Sequence, residues 1–176
     1  WLNTQRPECN DANNALVGQG LSMVTLSYMR RYVQFVLTLL ENESDEFDVS
    51  SEVVEWLTQT ALILKDAVSA INSKQMSDTQ SYAILNALGK ASCDYRSKVY
   101  SQEGFSGRKP IHLDSVKALL NDALICIDYT VSVNRREDGL YHAYNLLGLE
   151  KDEMHIDTLY PMLEGQVAAL SAGSLS

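Results

Sequence analysis

The chain has 176 residues, 45% of them hydrophobic and 21% charged, a balance that suits one folded domain with its own core and does not suit a disordered segment. A net charge of −9 argues against nucleic acid or an anionic membrane surface as partner, because phosphate recognition needs clustered Lys and Arg. The three cysteines, Cys9, Cys93 and Cys126, make no CxxC pair, so they read as small buried hydrophobes in a reducing, cytoplasmic compartment.

The first residue is Trp1, and no charged stretch leading into an apolar one follows it. The expectation is therefore a piece of a longer polypeptide, residues 1–176 forming a single helical domain cut at both ends. The longest apolar-rich stretch, Val33 to Leu40, is too short to span a bilayer.

Leu16, Met23, Leu26, Met29, Tyr32, Val33, Val36, Leu37 and Leu40 recur every three or four residues and predict a helix over 15–41. Glu41–Asp48 carries five carboxylates and no base, and reads as a solvated loop. Ser50 or Ser51 would cap a second helix whose stripe runs from Val54 to Ile71 and fades at Asn72–Lys74. Ser77-Asp78-Thr79-Gln80 has the form of a capping box and opens a third helix to about Gln102.

Gly104, Gly107 and Pro110 break the chain before a fourth helix over 114–129. Thr130–Val133 is β-leaning, Arg135–Gly139 a charged turn, and Tyr141–Leu149 short helix or irregular chain. A last helix is predicted over 158–172, with Leu159, Met162, Leu163, Val167 and Leu170 at helical spacing and Gly165 implying close helix packing. With no sustained period-two alternation, the fold class expected is all-α, built of antiparallel helical hairpins.

Two segments concentrate groups that could do chemistry. In the first, Glu8 and Asp11 stand among Asn10, Asn13 and Asn14, ahead of Gly18 and Gly20. Carboxylates accept from sugar hydroxyls, amides both donate and accept, and one carboxyl can protonate a leaving oxygen; the plainer alternative is a polar, over-capped helix start. In the second, Asn134 to Asn145, the paired Arg135 and Arg136 stand with Glu137, Asp138, Tyr141, His142, Tyr144 and Asn145. Tyrosine faces stack on sugar rings, and Arg and Asp make forked hydrogen bonds. The alternative here is a salt-bridged turn with its tyrosines packed on helices. His112 and His155 stand alone and read as surface or capping residues. No HExxH, Walker, GxSxG or GxGxxG pattern occurs.

Glu8-Cys9-Asn10-Asp11-Ala12-Asn13-Asn14, then Gly18-Gln19-Gly20 and a long apolar helix, resembles the catalytic stretch of cellobiose phosphorylase-like enzymes, which has the form Asp-Trp-Asn-Asp-Cys-Leu-Asn. The Asn10-Asp11 pair matches directly; Glu8 stands where the family has Asp, and Cys9 replaces the tryptophan. Asn134–Leu147 and Leu159–Ser176 are also similar to stretches of very large bacterial proteins related to those phosphorylases.

The resemblance implies part of an (α/α)6 toroid that cleaves or phosphorolyses glycosidic bonds, inactive as a lone piece. Glu8 would be the general acid, with Asp11 its neighbour or a sugar ligand. Asn10, Asn13, Arg135, Arg136, Asp138, Tyr141, His142 and Asn145 would bind substrate. The partners implied are an oligosaccharide or glycoside and the rest of the polypeptide, with no metal and no cofactor beyond inorganic phosphate as co-substrate of a phosphorylase. The rival expectation is a non-catalytic helical scaffold.

Overall fold

The computed structural model describes residues 3–4, 20–101 and 104–173. Its helices are α1 (Met23–Leu39), α2 (Ser51–Asn72), α3 (Asp78–Ser101), α4 (Leu113–Val133) and α5 (Leu163–Ser171). Its strands are β1 (Asn3–Thr4), β2 (Gly20–Ser22), β3 (Glu46–Ser50), β4 (Arg108–His112), β5 (Tyr144–Glu150) and β6 (Glu153–Thr158). Two compact units result, one of residues 1–34 and 127–176, the other of 35–126. Among the described residues no helix is long and apolar enough to cross a membrane.

The all-α expectation is wrong: the fold is mixed, with two antiparallel sheets. The first unit holds a four-stranded sheet in the order β1-β2-β5-β6, and the second a two-stranded sheet of β3 and β4. The acidic stretch expected to be a loop contains β3, where Phe47 pairs with Ile111 and Val49 with Lys109. Tyr141–Leu149, expected as helix or irregular chain, contains the start of β5, which turns through Lys151 and Asp152 into β6. These strands are only two to seven residues long. Their stability comes from partner strands elsewhere in the chain, which no local window contains.

The helical expectations fare better. The α2 and α3 stripes are wholly or partly buried from Val54 to Ile71 and from Tyr82 to Val99. The Ser77 hydroxyl accepts from the Gln80 amide at 3.2 Å, as the capping box requires. Helix α1 begins at Met23 because Gly20–Ser22 is spent on β2, and the Ser22 hydroxyl accepts from the Thr25 amide at 3.0 Å. Residues 130–133, β-leaning by composition, continue α4.

In the first unit the core gathers Leu21, Met23, Leu26, Val33, Ile127, Val131, Ala143, Tyr144 and Met154 with Ala168, Ala169 and Ala172 of the α5 segment. The face of α5 that faces inward is its small one; Leu163, Val167 and Leu170, expected as its apolar stripe, are exposed. A Cβ on Gly165 would stand 3.0 Å from Cα, Cβ and N of Ala143, so glycine there allows the close packing expected. In the second unit α2 and α3 form an antiparallel hairpin, with Trp56 against Tyr95 at a centroid distance of 5.9 Å.

Candidate functional site

Glu8, Asn10, Asp11 and Asn13 lie outside the described residues, as does Cys9. The strands that flank them in the chain are described: Asn3 pairs with Leu21 and Thr4 with Gly20, and Leu21 in turn pairs with Asn145. β1, β2 and β5 are thus neighbours in one sheet.

The segment from Asn134 to Asn145 leaves the C-terminus of α4 and enters β5. Its tip is a tight turn: the Gly139 amide donates to the Arg136 carbonyl at 3.0 Å and the Arg136 amide to the Leu140 carbonyl at 2.7 Å. Gly139 sits at φ +82°, a conformation that favours glycine. Arg136 grips Asp138 bidentately, Nε to Oδ1 at 3.0 Å and the second guanidinium nitrogen to Oδ2 at 2.5 Å. The Leu140 amide also donates to Oδ1 at 3.1 Å. Arg136 first, then the Leu140 amide, hold the Asp138 carboxyl below its ordinary range. The tip is therefore the salt-bridged turn of the plainer alternative, and Arg136 and Asp138 are committed to each other.

Further in, Asn134 organises the segment. Its Nδ2 donates to the His142 carbonyl at 2.7 Å and its Oδ1 accepts from Asn145 Nδ2 at 2.8 Å. From α5, Gln166 pairs with the backbone of Tyr141, accepting from its amide at 2.9 Å and donating to its carbonyl at 2.7 Å. Neither Asn134 nor Gln166 was singled out by sequence. Gln166 stands 25 positions from its partner, and no spacing rule connects the two.

Three buried polar atoms around this scaffold have no hydrogen-bond partner: His142 Nδ1, Asn145 Oδ1 and Glu164 Oε1. They belong to residues on both sides of the Ala143–Gly165 approach. Unmatched buried polar atoms cost about 1–3 kcal/mol each, so each of them needs a reason. Arg135 is exposed, Tyr141 and His142 are half-buried, and Asn145 is 5% exposed. Of the expected set, the structure thus ties the His142 carbonyl and the Asn145 side chain to Asn134, and the Tyr141 backbone to Gln166.

Of the cysteines described, Cys93 is exposed, against expectation, and Cys126 is half-buried. Burial pushes the Cys126 thiol up to about 11, which keeps it protonated and slow to react. Searches of family models and of curated proteins return no match to this chain.

Proposed function

We propose that this chain is the substrate-holding part of an enzyme acting on glycosidic bonds, with the Asn134–Asn145 segment as its polyol site. The observation that carries the reading is the set of unmatched atoms on His142, Asn145 and Glu164. A sugar hydroxyl donates and accepts at once, so it can satisfy an amide oxygen, a carboxylate or an imidazole nitrogen. Tyr141, half-buried and next to His142 in the chain, supplies a ring on which a sugar can stack. Residues 8–14 contribute the general acid Glu8 and its neighbour Asp11 by their resemblance to the phosphorylase motif. Since Asp138 already holds Arg136, only Arg135 of the pair remains to bind phosphate, and hydrolysis asks less of this site than phosphorolysis. The remaining polypeptide would complete the cleft, in a cytoplasmic compartment where exposed Cys93 stays a thiol.

Titrating the chain with β-linked oligosaccharides, read by calorimetry, tests the binding half. Saturable binding is expected, weakened about tenfold by His142→Phe. No heat with any oligosaccharide removes the polyol site. For the catalytic half, Glu8→Gln in the complete polypeptide should lower turnover by about 10²–10⁴-fold, and unchanged turnover removes Glu8 from the mechanism.

A second reading, a non-catalytic interaction module, draws on α5, where Leu163, Val167 and Leu170 share one helical face at 78%, 55% and 69% exposure. Sedimentation of the chain alone tests it: concentration-dependent association abolished by Val167→Glu supports the module, and an ideal monomer in both forms counts against it.

A further inference from the structure

In the second unit, the loop before β4 is fastened to the start of α2 by a costly contact. Glu52, in the first turn of α2, is 4% exposed. Its Oε1 accepts from the Ser106 amide at 3.0 Å and from the Ser106 hydroxyl. Beside it the Ser51 amide donates to the Gly107 carbonyl at 3.0 Å. The Ser106 hydroxyl first, then its amide, hold the Glu52 carboxyl below its ordinary range, so it is charged at neutral pH. The second oxygen, Oε2, is buried and has no partner among the described residues. A charged oxygen shut off from water costs free energy, which offsets part of what the two Ser106 bonds contribute.

Little else holds residues 104–112 down. All of them are exposed or half-buried; of their large apolar side chains Phe105 is 59% exposed and Ile111 half-buried. β4 pairs with β3 alone, and a two-stranded ribbon is marginally stable by itself. At the near end Gly104 takes φ +131°, a backbone conformation that L side chains rarely adopt. At the far end the Leu113 amide donates to the Asp45 carbonyl at 3.1 Å, and His112 Nε2 lies 3.1 Å from Glu46 Oε2. The helices beneath have contacts of their own: Trp56 meets Tyr95, and Lys98 donates to Glu55 at 2.5 Å.

We propose that residues 104–112 form a strap that opens as one unit while α2 and α3 stay folded, with the Glu52–Ser106 contact as its latch. Letting go of Ser106 frees the Glu52 side chain to turn to water, which relieves the cost of its sealed oxygen. The ribbon then has one ladder and no third strand to keep its register, so β4 leaves β3 along its whole length. Opening releases Phe47 from Ile111 and Val49 from Lys109. The strap shares no residue with segment 134–145, so the device stands apart from the polyol reading.

Amide hydrogen exchange in the full chain at neutral pH, read by NMR, tests this. The Ser106 and Ser51 amides report the latch end, Leu113 the far end, and the buried Ala67 and Ala91 the two helices. The three strap amides should share one protection factor, at least about tenfold below those of Ala67 and Ala91. Ser106→Ala, a change at an exposed residue, removes the hydroxyl donor. It should speed exchange at all three strap amides about tenfold and leave Ala67 and Ala91 unchanged. Equal protection of all five amides in the wild-type chain overturns the proposal, because the strap then opens only with the whole fold. Acceleration of all five in Ser106→Ala, or of none, removes the latch. A response at Ser51 and Ser106 with Leu113 unmoved means that the loop end frays alone, and this also overturns it.

Discussion

A Cβ added at Gly165 would stand 3.0 Å from Cα, Cβ and N of Ala143, and backbone atoms do not step aside. Gly165→Ala gains up to about 1 kcal/mol of helix propensity but meets an overpacking cost of about 1–3 kcal/mol. A net loss of roughly 1 kcal/mol is expected, seen as a lower urea midpoint at unchanged slope; a midpoint equal to or above wild type contradicts the close approach. Reactivity separates the two described cysteines. Cys93 is exposed, whereas burial pushes the Cys126 thiol up to about 11. Iodoacetamide near pH 8 should alkylate Cys93 first and Cys126 only slowly, as peptide mass spectrometry of a time course would record.

Among elements, the end of α2 carries strain that the sequence accepts. The Gln75 amide reaches back to the Ala70 carbonyl at 2.9 Å and the Lys74 amide to the Ile71 carbonyl at 3.0 Å, a Schellman closure. It puts Lys74 at φ +55°, where an L side chain crowds its own carbonyl. Lys74→Gly relieves this and should raise stability by about 1 kcal/mol. The gain is measurable as a higher melting temperature, and a drop would show that the Lys74 side chain contributes something the helix end needs. The turn between α4 and β5 uses the same conformation at Gly139, with glycine already in place.

The strands explain why element boundaries were only partly legible. Apolar period and caps identified α1 to α4, since both signals lie within a few turns of chain. Phe47 and Val49 alternate with acids in β3, yet five residues of alternation are outweighed by the density of charge around them. The α5 stripe misled in the opposite sense: Leu163, Val167 and Leu170 have helical spacing, but Gly165, Ala168 and Ala169 pack inward because small residues let the helix approach β5 closely.

At the scale of the whole molecule, ionised carboxylates couple folding to pH. Glu52 is held below its ordinary range by Ser106, Glu55 by Lys98, Asp114 by Lys117 and Asp138 by Arg136. A carboxyl with a lowered native pKa stabilises the fold fully above its unfolded value, about 4, and loses that contribution as pH falls through the native one. Lys98 is raised by Glu55, so its share is present below the ordinary lysine range and lost only as pH climbs through the raised value. Urea midpoints should therefore be level between about pH 6 and 8 and drop below about pH 4. Glu55→Gln should flatten part of the acid limb; an unaltered limb would remove the Lys98 pair from the account. These groups are exposed apart from Glu52, so salt should weaken their share.

What the sequence alone determined is what neighbours in the chain decide. Helical period, the Ser77 cap and the turn at Gly139 all follow from residues within a few positions. The charged turn within 134–145 was also legible, because Arg136, Asp138 and Gly139 stand within four positions. Tertiary structure decided the rest. Ser50 meets Arg108, Leu21 meets Asn145, and Gln166 meets Tyr141 across separations that only the folded chain closes. It also decided which side chains are spent on the fold: Arg136 satisfies Asp138, and Asn134 satisfies Asn145 Nδ2 and the His142 carbonyl. His142 Nδ1, Asn145 Oδ1 and Glu164 Oε1 are left unmatched. Composition cannot make that division, because a hydrogen bond depends on where two groups meet in space, and a residue's identity shows only that it could form one.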